Sequence, residues 1–99
     1  MLSDKNYVDL IWRFKIEDGL SWRFCAGVLE YSNIQITPQT LKRKFINYFE
    51  KLTGTKPYTP CPKCQGELLP RQSEYGYFIG CSNFQKCRYI VKPKKELNK

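Results

Sequence analysis

The sequence predicts a small α+β protein, with three helices in its first half and a ribbon of short antiparallel strands in its second half. Apolar residues recur at helical spacing as far as about residue 52, and two prolines and a glycine then interrupt the pattern over 53–60. Four cysteines follow, within a stretch rich in aromatic residues and glycine. We therefore expect a helical domain over 1–53, a linker over 54–60, a cysteine-rich ribbon over 61–92 and a basic tail over 93–99.

The first two helices have recognisable ends. Helix one is expected to start after a cap at Ser3 or Asp4 and to close before Gly19. Ser21 is a suitable N-cap for a second helix through about Tyr31, because its hydroxyl can accept a hydrogen bond from a backbone N–H of the first turn. The inward face of this second helix is expected to hold Cys25, Val28 and Leu29.

The third helix has the clearest start, since Thr37 can cap it and Pro38 is preorganised for the first helical position. It is expected to run to about Leu52. One face is an apolar stripe made of Leu41, Phe45, Tyr48, Phe49 and Leu52. The opposite face is polar and basic and comprises Gln39, Thr40, Lys42, Arg43, Lys44 and Asn47. Such a helix can pack on a core and still present hydrogen-bond donors to a polyanion.

Residues around these helix starts also form a motif. It consists of Leu20-Ser21-Trp22-Arg23, Ala26, Leu29 and Ile36-Thr37-Pro38-Gln39-Thr40-Leu41-Lys42-Arg43. Over about 20–50 this motif resembles bacterial helix-turn-helix DNA-binding proteins, in which the second helix enters the major groove. The resemblance implies base contacts from Gln39, Thr40 and Arg43, and phosphate contacts from Lys42, Lys44 and, on the second helix, Arg23. Asn47 lies on the same predicted DNA-binding face.

The four cysteines of the second half are Cys61, Cys64, Cys81 and Cys87, in the order C-x2-C, sixteen residues, C-x5-C. This spacing is typical of a tetrahedral zinc site. The chain has no histidine, so the metal would be held by thiolates alone. A closed set of four thiolates has no open position for a substrate water, and we therefore expect one structural zinc ion.

A more specific pattern surrounds these ligands. It comprises Cys61-Pro62-Lys63-Cys64, Leu68, Tyr75-Gly76-Tyr77-Phe78-Ile79-Gly80-Cys81-Ser82-Asn83-Phe84 and Lys86-Cys87-Arg88-Tyr89. Over about 59–92 the pattern closely resembles the C-terminal zinc finger of bacterial type IA DNA topoisomerases. Fingers of that family help to bind single-stranded DNA and can also dock onto RNA polymerase, so the resemblance implies nucleic acid as the first candidate partner and a protein as the second. Fingers of that family often have glycine where Gln65 stands and proline where Gln85 stands, differences that affect turns and leave the ligands intact.

Side chains of the ribbon suit unpaired nucleic acid, because bases stack on flat rings and phosphates pair with cations. The candidate rings are Tyr77, Phe78, Phe84 and Tyr89, and the candidate cations are Lys63, Arg71, Lys86 and Arg88. At least two of the rings are expected to cover the small core of the ribbon instead, and Phe78 and Tyr89 are the expected pair.

Charge supports a polyanionic partner. The chain carries a formal net charge of +8, and residues 53–99 contain nine basic and three acidic side chains. Four thiolates and one Zn²⁺ would leave about +6. No apolar run approaches the roughly 20 residues needed to cross a bilayer, and the start Met1-Leu2-Ser3-Asp4-Lys5 lacks the features of a secretion signal. We therefore expect a cytoplasmic protein with no membrane partner.

Catalysis is not expected. The sequence has no histidine, no glycine-rich phosphate loop and no clustered carboxylates. The fifth cysteine, Cys25, is expected to be a small core residue, since no histidine is present to activate its thiol.

Three functional hypotheses follow. The first is a sequence-specific transcriptional regulator of a bacterium or of a mobile element such as a plasmid, which could act as a homodimer on paired half-sites. The second is a non-specific single-stranded DNA-binding factor in DNA processing or conjugative transfer. The third is an adaptor that docks on RNA polymerase or another protein.

Overall fold

Helical and strand patterns occupy separate halves of the chain, and the computed structural model, which describes residues 3–74, 76–83 and 85–93, has this α+β order. The helices are α1 (Asp4–Trp12), α2 (Trp22–Glu30) and α3 (Pro38–Thr53). The strands are β1 (Leu68–Ser73), β2 (Gly76–Cys81) and β3 (Ile90–Val91). Contacts divide the chain into two compact units, Met1–Tyr48 and Phe49–Lys99, with the boundary inside α3. Within the described part, each helix is too short or too polar to cross a membrane.

Side-chain caps fix the starts of the helices. The Ser3 hydroxyl accepts a hydrogen bond from the Asn6 N–H at 3.3 Å, and the Asn6 side chain accepts one from the Ser3 N–H at 3.0 Å. This reciprocal pair satisfies two donors that a helix start would otherwise leave free. Ser21 and Thr37 accept the corresponding bonds at α2 and α3, at 3.1 Å and 3.2 Å. The helix starts predicted at these positions are confirmed.

The first helix continues beyond α1 as a π-helical segment, Arg13–Glu17, which the sequence pattern did not distinguish from α-helix. Gly19 then turns the chain with a φ of +69°, a conformation that glycine adopts without steric cost. The Lys15 ammonium connects this segment to the residues that follow Gly19. It donates to the Leu20 carbonyl oxygen at 3.1 Å and lies 4.7 Å from the centroid of the Trp22 ring.

Aromatic rings form the centre of the first unit. Phe45 is fully buried, with its ring centroid 6.0 Å from that of Trp12 in a stacked pair and 5.3 Å from that of Trp22 in an edge-on pair. Fully buried aliphatic and thiol side chains surround these rings, namely Val8, Ile11, Cys25 and Leu41. The inward face of α2 differs from the prediction at Val28, which is half-buried, because Ala26 takes the buried place beside Cys25.

The second unit contains an antiparallel sheet with the order β1-β2-β3. The β1–β2 register places Leu68 opposite Cys81, so the last residue of β2 lies beside the first residue of β1. β3 pairs with β2 and places Val91 opposite Ile79. The sequence predicts strands over 67–71 and 75–80, which β1 and β2 confirm, and it does not predict β3, which is only two residues long.

The segment 54–60, expected as a linker, is hydrogen-bonded to the ribbon near its end. The Tyr58 N–H donates to the Leu68 carbonyl oxygen at 2.6 Å, and the Leu68 N–H donates to the Thr59 carbonyl oxygen at 2.8 Å. These residues therefore run alongside the start of β1 as part of the second unit.

Replacing Phe45 with alanine is expected to destabilise the first unit by about 3 to 5 kcal/mol, because the change leaves a cavity between two tryptophan rings. Both tryptophans of the chain lie in this unit, so urea unfolding followed by tryptophan fluorescence measures the loss directly. Asn47→Ala, at an exposed position of the same helix, is the control and should change the free energy of unfolding by about 0.5 kcal/mol or less. Equal midpoints for the two variants would contradict the assignment of Phe45 to the core.

Candidate metal centre and nucleic-acid interface

Four thiols converge at the open end of the β1–β2 hairpin. Cys61 and Cys64 flank a turn that precedes β1, Cys81 ends β2, and Cys87 lies between β2 and β3. The sulfur atoms of Cys61 and Cys87 are 3.6 Å apart, and those of Cys64 and Cys81 are 3.3 Å apart. All four sulfur atoms lie within 4.8 Å of one another.

Backbone N–H groups of the turns point at these sulfur atoms. In the first turn, the N–H groups of Lys63 and Gly66 donate to the sulfur atoms of Cys61 and Cys64, each at 3.4 Å. After β2, the N–H two residues beyond Cys81 donates to that sulfur at 3.3 Å. Hydrogen bonds of this kind stabilise thiolate relative to thiol, so the turns favour the form of cysteine that binds metal.

The thiols ionise unequally before a metal binds. Donation from the Gly66 N–H lowers the pKa of the Cys64 thiol to about 7. Burial raises the pKa of the Cys81 thiol to about 12. Burial opposes ionisation of the Cys61 thiol, but N–H donation from the turn outweighs this effect, so the pKa of Cys61 is lowered as well. The cluster therefore contains two thiols that ionise more readily than an ordinary cysteine, whereas the buried sulfur of Cys81 needs a nearby cation in order to lose its proton.

The sulfur positions fit tetrahedral Zn²⁺. Zn–S bonds of about 2.3 Å place the sulfur atoms of a regular tetrahedron about 3.8 Å apart. The separations of 3.3 Å and 3.6 Å lie close to that value, and the outer limit of 4.8 Å requires only small side-chain adjustments. The residues predicted as ligands are those that the fold brings together. They hold a structural zinc ion, because four thiolates complete its coordination.

Cys25 takes no part in this cluster. It is fully buried on α2, and burial raises the pKa of its thiol, an effect that the nearby Lys15 ammonium opposes. The thiol is therefore a core group, as expected from the sequence.

The turns around the metal site require unusual backbone conformations. Gln65 has a φ of 64° and Arg88 a φ of 60°, in the left-handed region that favours glycine. The conformation of Gln65 explains why similar fingers often have glycine there. Gly66 is crowded as well, since a Cβ atom at this position would lie 3.2 Å from the Ser82 hydroxyl and 3.3 Å from the Cys64 sulfur.

The predicted DNA-contacting residues of the helices differ in solvent exposure and in whether they already have partners within the protein. The exposed ones are Gln39, Lys42, Arg43 and Asn47 on α3 and Arg23 on α2. Thr40 and Lys44 are half-buried and have local partners. The Thr37 hydroxyl donates to the Thr40 hydroxyl at 2.8 Å, while the Lys44 ammonium lies 3.9 Å from the Asp4 carboxylate and 5.4 Å from the centroid of the Tyr7 ring. A phosphate would have to compete with these partners for Lys44.

In the ribbon, the predicted DNA-contacting cations are mostly more exposed than the described aromatic rings. Lys63, Lys86 and Arg88 are exposed and Arg71 is half-buried, whereas Phe84 lies outside the described residues. Tyr77 is only 8% exposed, and its ring packs edge-on against Phe49 with the centroids 5.7 Å apart. The predicted stacking of a base on Tyr77 is therefore wrong for this ring, because its faces are covered. Phe78, expected in the core, is half-buried, as is Tyr89.

Two polar residues of the turn after β2 were missed as candidate site residues. The Ser82 hydroxyl accepts a hydrogen bond from the Glu67 N–H at 3.1 Å. The Asn83 side-chain amide lies 3.8 Å from the Cys64 sulfur. The available signal was the serine and asparagine directly after a ligand cysteine, in a turn that has to face both the metal and solvent.

The antiparallel hairpin, the two ligand-bearing turns and the closed thiolate set define a four-cysteine zinc ribbon. Residues 59–96 match the family described as topoisomerase DNA binding C4 zinc finger. The match confirms the resemblance found in the sequence of the ribbon. The match does not extend to residues 1–58, which include the three helices.

Individual relatives are similar over limited segments. DNA topoisomerase 1 of Helicobacter pylori strain J99 is 60% identical over 30 residues, which cover 30% of this chain and 4% of that protein. DNA topoisomerase 1 of Campylobacter jejuni is 35% identical over an alignment of 69 residues, which covers 59% of this chain and 10% of that protein. The uncharacterised protein YrdD of Escherichia coli K12 is 49% identical over 30 residues, which cover 30% of this chain and 17% of that protein. The chain thus spans less than a fifth of each relative, and no solved structure matches it significantly.

Replacing Cys64 with serine is expected to lower the zinc content from one ion per chain to well below one, because a hydroxyl is a poor zinc ligand at neutral pH. The measurement is metal analysis after dialysis against a weak chelator. Cys25→Ala is the matched control and should retain one zinc ion, since Cys25 lies in the core of the other unit. Full zinc retention by Cys64→Ser would show that the cluster is not a four-thiolate site.

Replacing Gln65 with glycine is expected to stabilise the zinc-loaded ribbon by about 1 kcal/mol, because glycine adopts the left-handed conformation without a steric penalty. Competition with a chromophoric chelator measures the change as tighter zinc binding, since binding and folding are coupled. Gln72→Gly on β1 is the control and should have the opposite sign, because glycine weakens a regular strand. Weaker zinc binding by Gln65→Gly would contradict the strain assigned to this turn.

Proposed function

We propose that the chain is a small zinc-containing DNA-binding protein whose ribbon contacts nucleic acid through its basic turns. The observation that carries this proposal is the four-thiolate cluster inside residues 59–96, the segment that matches a DNA-binding zinc finger family. The net charge of +8 supplies a general attraction to phosphate, most of it from residues 53–99.

The metal has a structural role in this proposal. Its four ligands lie in the turns that carry Lys63, Lys86 and Arg88, so zinc binding places these cations on a defined surface. Fixed cations lose less conformational freedom when they meet a phosphate than cations on a disordered chain. We assign no catalytic step to the ion or to the chain.

Sequence-specific binding to duplex DNA, and with it regulation of transcription, is the more specific form of this proposal. The exposed residues Gln39, Lys42, Arg43 and Asn47 follow helical spacing on one face of α3, which is 16 residues long. Amide and guanidinium groups are the side chains that most often bond base edges in the major groove. The connection between α2 and α3 covers residues 31–37 and is longer than the roughly three to four residues usual in a helix-turn-helix, so the support comes from the exposed face of α3.

A groove on the ribbon favours single-stranded DNA as a second candidate ligand. It has a volume of about 340 Å³ and is lined mainly by apolar groups, among them Phe78 and Ile90, together with Lys92. An unpaired base could stack on the half-buried Phe78 ring while the lysine meets a phosphate.

Competition between a randomised duplex pool and a matched single-stranded pool tests the proposal. The zinc-loaded chain should retain DNA with a steep salt dependence and should enrich one duplex motif. Arg43→Gln is expected to relax the sequence preference, whereas Lys86→Gln should weaken all DNAs alike and lower the salt slope by about 1.

The outcomes separate the candidates. Retention of single strands without sequence preference would indicate that the ribbon is the DNA-binding part, and it would contradict the proposal of a sequence-specific transcriptional regulator. Retention of neither pool would contradict DNA binding and leave a protein partner, such as RNA polymerase, as the remaining hypothesis.

A further inference from the structure

A polar cleft lies on the ribbon beside the turn that follows β2. It has a volume of about 490 Å³ and is lined by Arg71, Ser82, Asn83, Gln85 and Lys86. Every one of these side chains has a hydrogen-bond donor, two are cationic, and none is a carboxylate. This is the donor chemistry that binds an oxyanion with several acceptor oxygens.

Arg71 crosses the sheet over a glycine. A Cβ atom at position 80 would lie 2.9 Å from both Cδ and Nε of Arg71, so the stem of the arginine occupies the space that Gly80 leaves open. The Arg71 Nη2 group donates to the Cys81 carbonyl oxygen at 3.3 Å. The strand and the metal-site backbone therefore hold the guanidinium in position before any ligand arrives, which lowers the entropy lost on binding.

This guanidinium retains unused donors. Within the described part of the chain, the bond to Cys81 is the one hydrogen bond of the Arg71 side chain, and its buried Nε has no acceptor. The described carboxylates form no ion pair with Arg71 or with Lys86. Leaving polar donors of a charged group unpaired is unfavourable, and an anion in the cleft would satisfy those that face it.

The turn after β2 adds two fixed polar groups. The Ser82 hydroxyl accepts the Glu67 N–H at 3.1 Å, which leaves its own hydrogen available for donation. Asn83 is anchored at the metal site, since its N–H donates to the Cys81 sulfur at 3.3 Å and its amide nitrogen lies 3.8 Å from the Cys64 sulfur. Zinc binding therefore sets the positions of both groups.

We propose that this cleft binds one phosphate of a nucleic-acid backbone, with Arg71 and Lys86 supplying the positive charge and Ser82 a further hydrogen bond. The proposal rests on the DNA-binding function proposed above and gives it a defined phosphate subsite next to the zinc ion. The cleft has the fixed arginine that a specific subsite needs, whereas scattered surface lysines would give only general attraction.

The test compares variants of the zinc-loaded full chain on an oligothymidylate of about twelve nucleotides. Arg71→Gln and Lys86→Gln should each weaken binding about tenfold or more and lower the salt slope by about 0.7. Gly80→Ala keeps the charge and displaces the arginine, so it should weaken binding in the same direction. Lys56→Gln removes one exposed charge from the same unit and should weaken binding by no more than about threefold. Zinc content is measured for each variant. If a substitution at Arg71 lowers the zinc content, Lys86→Gln still tests the subsite, because the Lys86 side chain is exposed and has no described partner whose loss would destabilise the ribbon.

Two further measurements identify the ligand. On a methylphosphonate oligomer, which lacks the backbone charge, the difference between Arg71→Gln and the unchanged chain should disappear. An amide NMR titration of the unchanged chain with inorganic phosphate should shift the signals of Ser82, Asn83 and Lys86.

Equal losses from Arg71→Gln and Lys56→Gln on the natural oligomer would overturn the subsite while DNA binding stands. Absence of binding to any DNA, with shifts from inorganic phosphate alone, would overturn both the proposed function and the nucleic-acid source of the phosphate. A loss that persists on methylphosphonate DNA would also overturn the subsite, because the arginine would then act on something other than backbone charge.

Discussion

Repulsion among four converging sulfur atoms governs the structure of the second unit. Two thiolates about 4 Å apart repel each other by about 1 kcal/mol in water and by about 4 kcal/mol near a protein surface, and four ionised cysteines would make six such pairs. Without a cation, burial and this repulsion oppose ionisation, so Cys81 keeps its proton. The ribbon has only a small core with which to offset such a cost, since its sheet is short and its third strand contains only two residues. A divalent cation converts the repulsion into attraction, so metal binding and formation of the ribbon are one equilibrium.

The register of the sheet follows from this constraint. Cys81 must face the metal, and it pairs with Leu68 at the open end of the hairpin. Alternate residues of a strand share a face, so the requirement at Cys81 turns Tyr77 and Ile79 inward and leaves Phe78 and Gly80 on the other face. Arg71 is paired with Phe78 in this register and therefore lies on the same face as Gly80, diagonally across the two strands. The absence of a side chain at Gly80 then gives the arginine a path across the sheet.

Local signals made the helix starts and the metal ligands predictable, and long-range pairing limited the rest. Ser21 and Thr37 cap their helices through contacts three residues away, and the cysteine spacing narrows the possible geometries of a tetrahedral site. Phe78 was expected in the core and Tyr77 at the surface, but Tyr77 is the buried ring. This could have been predicted from the sequence, because Tyr77 and Cys81 are four residues apart and therefore share a face of the strand, whereas hydrophobicity alone favours phenylalanine for the core. β3 and the Arg71 cleft could not be predicted from the sequence. Each depends on contacts between residues about ten or more positions apart, and no periodic pattern in the sequence indicates such contacts. The left-handed turn at Gln65 lies between these cases. A glycine at this position would have indicated a positive φ, whereas glutamine gives no such signal.

The coupling between metal and nucleic acid follows from the position of the proposed contacts. Ser82 and Asn83 bond to the backbone and sulfur atoms of the ligand turns, and Lys86 lies within the same C-x5-C segment. A ligand held by these groups binds the folded ribbon and has no equivalent site on the unfolded chain, so it stabilises the ribbon in proportion to its occupancy. By linkage, DNA bound there must tighten the hold on zinc, and loss of zinc must weaken that contact by the same factor. Direct metal contact with DNA is therefore unnecessary, because the ion acts through the turns that it shapes.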